Sequence, residues 1–170
     1  MDKIKKIAKK FKLIIVEDAA EALGSYYKKK HLGTFGDVGC FSFNGNKIIT
    51  TGGGGMVVLN NRRLAKTLRH LVTTAKINHK WEYIHDKVGY NFRMPNLNAA
   101  LGLAQFEKIK SFLKKKRNIF NKYSKCFEKI NGIKIFKEPK FAKSNYWLQT
   151  LILDKKNEKF KNKLLKEFHQ

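Results

Sequence analysis

Residues 12–16, Lys-Leu-Ile-Ile-Val, form a short apolar run that stops abruptly at Glu17-Asp18. A run this short, with no polar alternation, is the pattern of a strand buried on both faces of a parallel sheet. Acids at its carboxyl end mark the edge at which open α/β sheets bind ligands. The flanking segments agree. Residues 2–12 place Ile4, Ile7, Ala8 and Phe11 on one helical stripe. Residues 39–43 and 54–60 are further strand candidates, and residues 26–38 between them and the first strand read as a polar, glycine-punctuated excursion. Residues 61–75 carry Leu64, Leu68, Leu71 and Val72 at helical spacing behind Asn61 as N-cap. Residues 95–130 open with Pro95 at a first-turn position and keep an apolar stripe, predicting one long helix or two that meet near Lys114–Arg117. Residues 132–136 and 145–153 are expected as strands of a second sheet and 158–168 as a helix. The order predicts an α/β fold with a mainly parallel sheet over 1–94, a connecting helix or helix pair over 95–130, and the beginning of a small α+β domain over 131–170.

Composition narrows the function classes. The net charge of +24, from 37 basic against 13 acidic residues, raises nucleic-acid binding or a membrane surface. Lysine dominates, however, and arginine occurs only at positions 62, 63, 69, 93 and 117. Phosphate and base readout lean on arginine, so scattered solvated charge is the preferred reading and no dedicated nucleic-acid binding is expected. The apolar run at 13–16 is too short for a signal segment, and nothing approaches the length of a membrane span. Cys40 and Cys126 lie far apart without metal-ligand spacing, so a reduced, cytoplasmic setting is expected, with no metal site and no membrane partner.

Lys47 stands between the aromatic run Cys-Phe-Ser-Phe and four glycines, 52–55. It is not a P-loop lysine: the glycines follow it rather than precede it, and Ile48 replaces the required Ser or Thr. No G-x-G-x-x-G dinucleotide fingerprint occurs at 33–39 or 52–57. Two readings remain: a solvated turn lysine, or a nucleophilic lysine in a partly desolvated pocket that forms an imine with a carbonyl compound. Asp18, about thirty residues earlier and just past a buried strand, favours the second. A carboxylate at that distance suits the ring nitrogen of pyridoxal 5'-phosphate, which must stay protonated to act as an electron sink.

The combined stretch "VEDAAEALGSYYKKKHLGTFGDVGCFSFNGNKIITTGGGGMVV", continuing through "HDKVGYNFRMPNLNAALGLAQ", resembles the core of the DegT-type sugar aminotransferases, which are pyridoxal phosphate enzymes of fold type I. The resemblance covers most of residues 1–130 and, more loosely, "NYWLQTLIL". It implies a partial fold-type I large domain. Lys47 would be the covalent anchor of the cofactor and the base that shuttles its proton, with Asp18 at the pyridine nitrogen. Glu21 stands where many members have Gln, near the phenolic oxygen, and Ser42 would hold the phosphate. Asn91 would reach the phosphate from a neighbouring subunit, which makes a homodimer the expected unit. Asn46, Tyr90 and Arg93 are weaker candidates for substrate or interface contacts. His79, Trp81 and His85 could frame the sugar pocket, although ordinary packing is preferred for each. The implied substrates are a nucleotide-linked keto-sugar of the 4-keto-6-deoxy-hexose type and an amino acid donor such as glutamate. The stretch "NHKWEYIHDKVGYNFRMPN" looks most like the branch that aminates UDP-linked 4-keto-6-deoxy-hexoses for legionaminic-like nonulosonic sugars or bacterial surface polysaccharide, with GDP-linked perosamine-type enzymes as close neighbours.

Family members carry a Gly-Thr phosphate turn at a helix N-terminus ahead of the strand at 12–16, and a substrate loop with closing helices after the small-domain strands. Residues 1–11 do not supply that turn, so the chain is expected to be a piece of such an enzyme, with exposed sheet edges and apolar faces. An inactive remnant of the family is the alternative reading, and a basic nucleic-acid-binding module is a distant third.

Overall fold

The computed structural model of the chain describes residues 1–169. The elements run α1 (Asp2–Phe11), β1 (Val16–Asp18), β2 (Tyr26–Tyr27), β3 (Lys30–His31), β4 (Val38–Ser42), β5 (Gly55–Val58) and α2 (Arg62–Val72). They continue with α3 (Asn96–Glu107), α4 (Ile109–Phe127), β6 (Ile133–Ile135), β7 (Ala142–Lys143), β8 (Leu151–Leu153), a 3₁₀ turn over Lys155–Phe160 and α5 (Lys161–Phe168).

The sheet that positions the lysine has the order β1-β4-β5. β1 and β4 are parallel, with Asp18 opposite Cys40, and β5 runs antiparallel to β4, with Ser42 opposite Gly55. The expected strand at 12–16 is therefore displaced by several residues, and it is not buried on both faces: Ile14 is 78% and Val16 62% exposed. β1 pairs on one edge only among the described residues. Upstream, Ile15 is held by the Asp37 carboxylate (2.8 Å from its N–H) and by the Asp37 N–H (2.9 Å to its carbonyl) instead of by a strand ladder. The sheet expected as mainly parallel thus shows one parallel and one antiparallel pair.

The core gathers Ala19, Phe41, Phe43, Ile48 and Ile49, with Ile109, Phe112 and Leu113 of α4 packed against it. Phe41 and Phe43 bury their side chains on one face of the strand while Ser42 between them turns to the other, as the two-residue period of a strand requires. Burying two such rings stabilises the sheet by roughly 3–6 kcal/mol.

Three further departures have physical causes. The polar excursion at 26–38 contains a hairpin, β2 against β3, and β7 adds to its other edge. The helices over 96–127 break at Lys108, not near 114–117. There the Lys108 N–H bonds back to Gln105, and the Lys108 carbonyl accepts from both Ser111 and Phe112, which starts a new helix. Strand structure within 145–153 is confined to β8, paired with β6. Tyr146 has φ 49°, which no strand allows, and the polar groups of Asn145 are engaged in tertiary bonds instead. The α2 prediction agrees with the structure: the Asn61 side chain caps the helix by accepting from the Leu64 N–H at 3.0 Å.

Arg117 on α4 ties the C-terminal segment down through a two-pronged pair with Glu138, at 2.7 and 3.1 Å, and a third bond to the Ser144 carbonyl at 2.9 Å. Burial alone would raise the Glu138 carboxyl; the Arg117 pair and the Ser144 N–H outweigh it and hold the group below its ordinary range.

Candidate active site

The loop from Phe43 to Gly54 closes on itself before β5 begins. The Phe43 carbonyl accepts from the Thr51 N–H at 3.0 Å and from the Thr50 hydroxyl at 3.0 Å, while the Phe43 N–H donates to the Gly54 carbonyl at 2.9 Å. Ile48 and Ile49 are buried and Thr51 is 2% exposed, so the loop is pinned from below. Gln105 on α3 accepts from the Thr50 N–H at 2.9 Å, and Asn98 donates to the Thr51 carbonyl. Gly52 and Gly54 take φ of 81° and 87°, the left-handed region that side chains resist. These two glycines let the chain double back within a few residues into β5.

Lys47 is presented at the carboxyl end of the β1–β4 pair. Its side chain is 13% exposed, and Nζ lies 3.3 Å from Glu21 Oε1. On another side Nζ sits 4.1 Å from the centroid of the Trp147 ring. Ala20, Glu21, Ser42, Lys47 and Trp147 line one small recess. Asp18 ends β1 two residues before Ala20 and is exposed; its Oδ1 accepts from the Ala20 N–H at 3.1 Å. The structure therefore brings Lys47, Glu21 and Ser42 together and sets Asp18 at the same strand end.

The remaining candidates lie elsewhere. Asn91 forms an isolated bridge with Thr73, and the Tyr90 N–H bonds to the Leu71 carbonyl at 2.7 Å. Asn91, Tyr90 and Arg93 are exposed and do not line the recess. Asn46 meets the site through its carbonyl, which accepts from the Trp147 indole N–H at 2.6 Å. His79 stacks edge-on against Trp81, and His85 donates to the Thr74 carbonyl at 2.7 Å, so both belong to the packing of their own segment. A larger apolar cavity of about 530 Å³ opens on the Phe41–Phe43 face of β4, and none of the candidate residues lines it.

Three residues that shape the site were not singled out from the sequence. Glu17, beside Asp18, accepts from the N–H groups of Gly33 (2.8 Å), Phe35 (2.5 Å) and Gly36 (2.6 Å), and so folds the Gly-Thr-Phe-Gly turn under the sheet. The pairing of Glu17 with Asp18 at the strand's carboxyl end was the available signal, read there only as a mark of the ligand edge. Trp147 and Asn145 were hidden inside an expected strand.

The sequence pattern of the DegT/DnrJ/EryC1/StrS aminotransferase family matches residues 1–170. GDP-perosamine synthase of Escherichia coli O157:H7 is 42% identical over 152 residues, 89% of this chain and 41% of that protein. UDP-4-amino-4,6-dideoxy-N-acetyl-beta-L-altrosamine transaminase of Campylobacter jejuni (strain 81-176) is 36% identical over 154 residues, 90% of this chain and 41% of that protein. The structure of Helicobacter pylori PseC, an aminotransferase involved in the biosynthesis of pseudoaminic acid, superposes with a TM-score of 0.90 at 28% identity, over 99% of this chain and 46% of its own. The chain thus spans about two fifths of the length of the curated relatives it matches. With a lysine recess at the end of a partial α/β sheet, a family match along the whole sequence and a fold shared with solved sugar aminotransferases, the chain belongs to the DegT/DnrJ/EryC1/StrS aminotransferase family.

Proposed function

We propose that this chain carries the cofactor-binding lysine of a pyridoxal phosphate-dependent aminotransferase acting on a nucleotide-linked keto-sugar. The observation that carries the reading is the shielded Lys47 amine, held against Glu21 in a recess it shares with Ser42. The donor set fits the cofactor: an amine for the aldehyde, a hydroxyl for the phosphate, and at Asp18 a carboxylate with one oxygen engaged by the Ala20 N–H. Bound there, pyridoxal 5'-phosphate supplies the electron-withdrawing ring on which amino-group transfer depends. Lys47 holds the cofactor covalently and moves a proton at Nζ. Asp18 keeps the ring nitrogen protonated, Ser42 donates to the phosphate, and Glu21 orients the amine.

The sugar is a 4-keto-6-deoxy-hexose and the donor an amino acid such as glutamate; the relatives named for perosamine and for a dideoxy-altrosamine support this class. The cofactor-binding part occupies 1–94, the connecting helices 95–130, and the start of a smaller domain 131–170. A homodimer, in which Asn91 serves the neighbouring subunit, accords with its exposure and with the uncovered apolar side chains Leu97 and Leu103, 86% and 63% exposed. No helix among the described residues is long and apolar enough to cross a membrane. A cytoplasmic setting is proposed on other grounds, the free thiols Cys40 and Cys126, which suit a reducing compartment.

Adding pyridoxal phosphate to the chain is expected to give a visible absorption band that Lys47→Ala removes, and glutamate is expected to bleach it. Identical spectra for the two proteins would refute the assignment of Lys47.

A further inference from the structure

We infer that Trp147 is a positioning residue for the Lys47 amine: its indole face, fixed by Asn145 and by the Asn46 carbonyl, holds Nζ at the recess where a coenzyme aldehyde would meet it. The inference rests on the reading of Lys47 above. Nζ lies 4.1 Å from the ring centroid, well inside cation–π range. With the Lys47 side chain only 13% exposed, the ammonium has lost much of its water, and the electron-rich ring face replaces part of it.

The charged groups around the amine come from three elements. Glu21 faces it from the turn after β1 at 3.3 Å. Asp18 closes β1 nearby. Lys116 of α4 reaches the same segment from behind, its Nζ donating to the Trp147 carbonyl at 2.9 Å.

The indole is delivered by a dedicated piece of backbone. Asn145 is 5% exposed. Its amide donates to the carbonyls of Glu21 (2.7 Å) and Leu23 (2.9 Å), and its Oδ1 accepts from the Trp147 N–H (2.9 Å). One buried side chain therefore fixes the backbone of both groups that face the amine. The indole N–H is in turn held by the Asn46 carbonyl, one residue from Lys47. Between Asn145 and Trp147, Tyr146 keeps a left-handed backbone at φ 49°. Its ring stacks on Phe120 at 4.0 Å, with the Arg117 guanidinium 4.9 Å from its centroid. A strained, non-glycine residue held by such packing is a mark of a segment that must place a side chain exactingly. For the amine to react, one proton would leave Nζ for water; attack on an aldehyde carbon would then form the C=N bond as the carbonyl oxygen departs in water with the two remaining amine protons.

The test follows the visible band at one fixed pH as pyridoxal phosphate is added. Each spectrum is taken as the difference from the same protein carrying Lys47→Ala, which subtracts imines on surface lysines. Trp147→Leu keeps apolar volume without a π face and is expected to raise the half-saturating pyridoxal phosphate concentration about fivefold, the scale of one partly desolvated cation–π contact. Trp147→Phe restores a ring and is expected to fall between leucine and the wild type. Thermal melting by circular dichroism confirms that each variant is folded. A half-saturating concentration unmoved in both variants, or moved equally by Leu and Phe, overturns the role of Trp147 while leaving Lys47 in place. Absence of any Lys47-dependent band in the wild-type chain removes the reading of Lys47, and this inference with it.

Discussion

Gly39→Val leaves little folded chain. Gly39 sits in β4, the central strand of its sheet, and is buried. A β-carbon there would be driven into the backbone carbonyl of Gly33, with the rest of the Gly33 backbone close behind. That neighbour cannot swing aside, because Gly33 is itself held at φ 85° with its N–H bonded to Glu17. Side chains yield by changing rotamer, but two locked backbones do not. The clash is expected to cost more than about 4 kcal/mol, a large share of the total stability of an ordinary domain. Gly45→Ala is the matched control, since a β-carbon at Gly45 meets nothing within 4 Å. Urea unfolding followed by circular dichroism should show Gly45→Ala near the wild type and Gly39→Val largely unfolded without denaturant. A Gly39→Val chain of wild-type midpoint would show that β4 does not lie against the Gly33 turn.

Glu17→Ala is expected to destabilise by about 2–4 kcal/mol, because three partly buried N–H groups lose a charged acceptor together. Glu17→Gln separates charge from geometry. An amide oxygen can still accept from Phe35 and Gly36, but the amide NH₂ then faces the Gly33 N–H, donor against donor. Gln is therefore expected to recover only part of the loss. Urea midpoints at constant slope measure both. The turn it organises lies directly under β4, so Glu17→Ala should also weaken cofactor binding at Lys47 without touching the recess. Equal stability of the Gln variant and the wild type would contradict the clamp.

How much of this was legible in the sequence depends on the range of the interactions involved. Asn61 and the leucines behind it announce α2 because capping and helical period are local. Lys47, Ser42 and Glu21, named from the family resemblance, line one recess because all three hang from one strand pair and its turns. β1 was misjudged because a continuous apolar run reports that both faces are apolar, not that both are covered; Ile14 and Val16 remain exposed. The break at Lys108 leaves no composition signal: the cluster of basic residues at 114–117 looked like a boundary, while Arg117 is in fact engaged with Glu138. Trp147 escaped notice for a different reason. Its role arises from Asn145 bonding to Glu21 and Leu23 more than a hundred residues away, and no local pattern encodes such a pairing.

The central claim is that the ε-amine of residue 47, at the same strand end as the acid of residue 18, is where the coenzyme attaches. Reducing the chain with borohydride in the presence of limiting pyridoxal phosphate, then mapping the labelled peptides by mass spectrometry, tests it most directly. The account predicts that the pyridoxyl group is found on Lys47 and that Asp18→Ala lowers its yield there. Label spread evenly over the surface lysines, or concentrated on any other lysine, would contradict it.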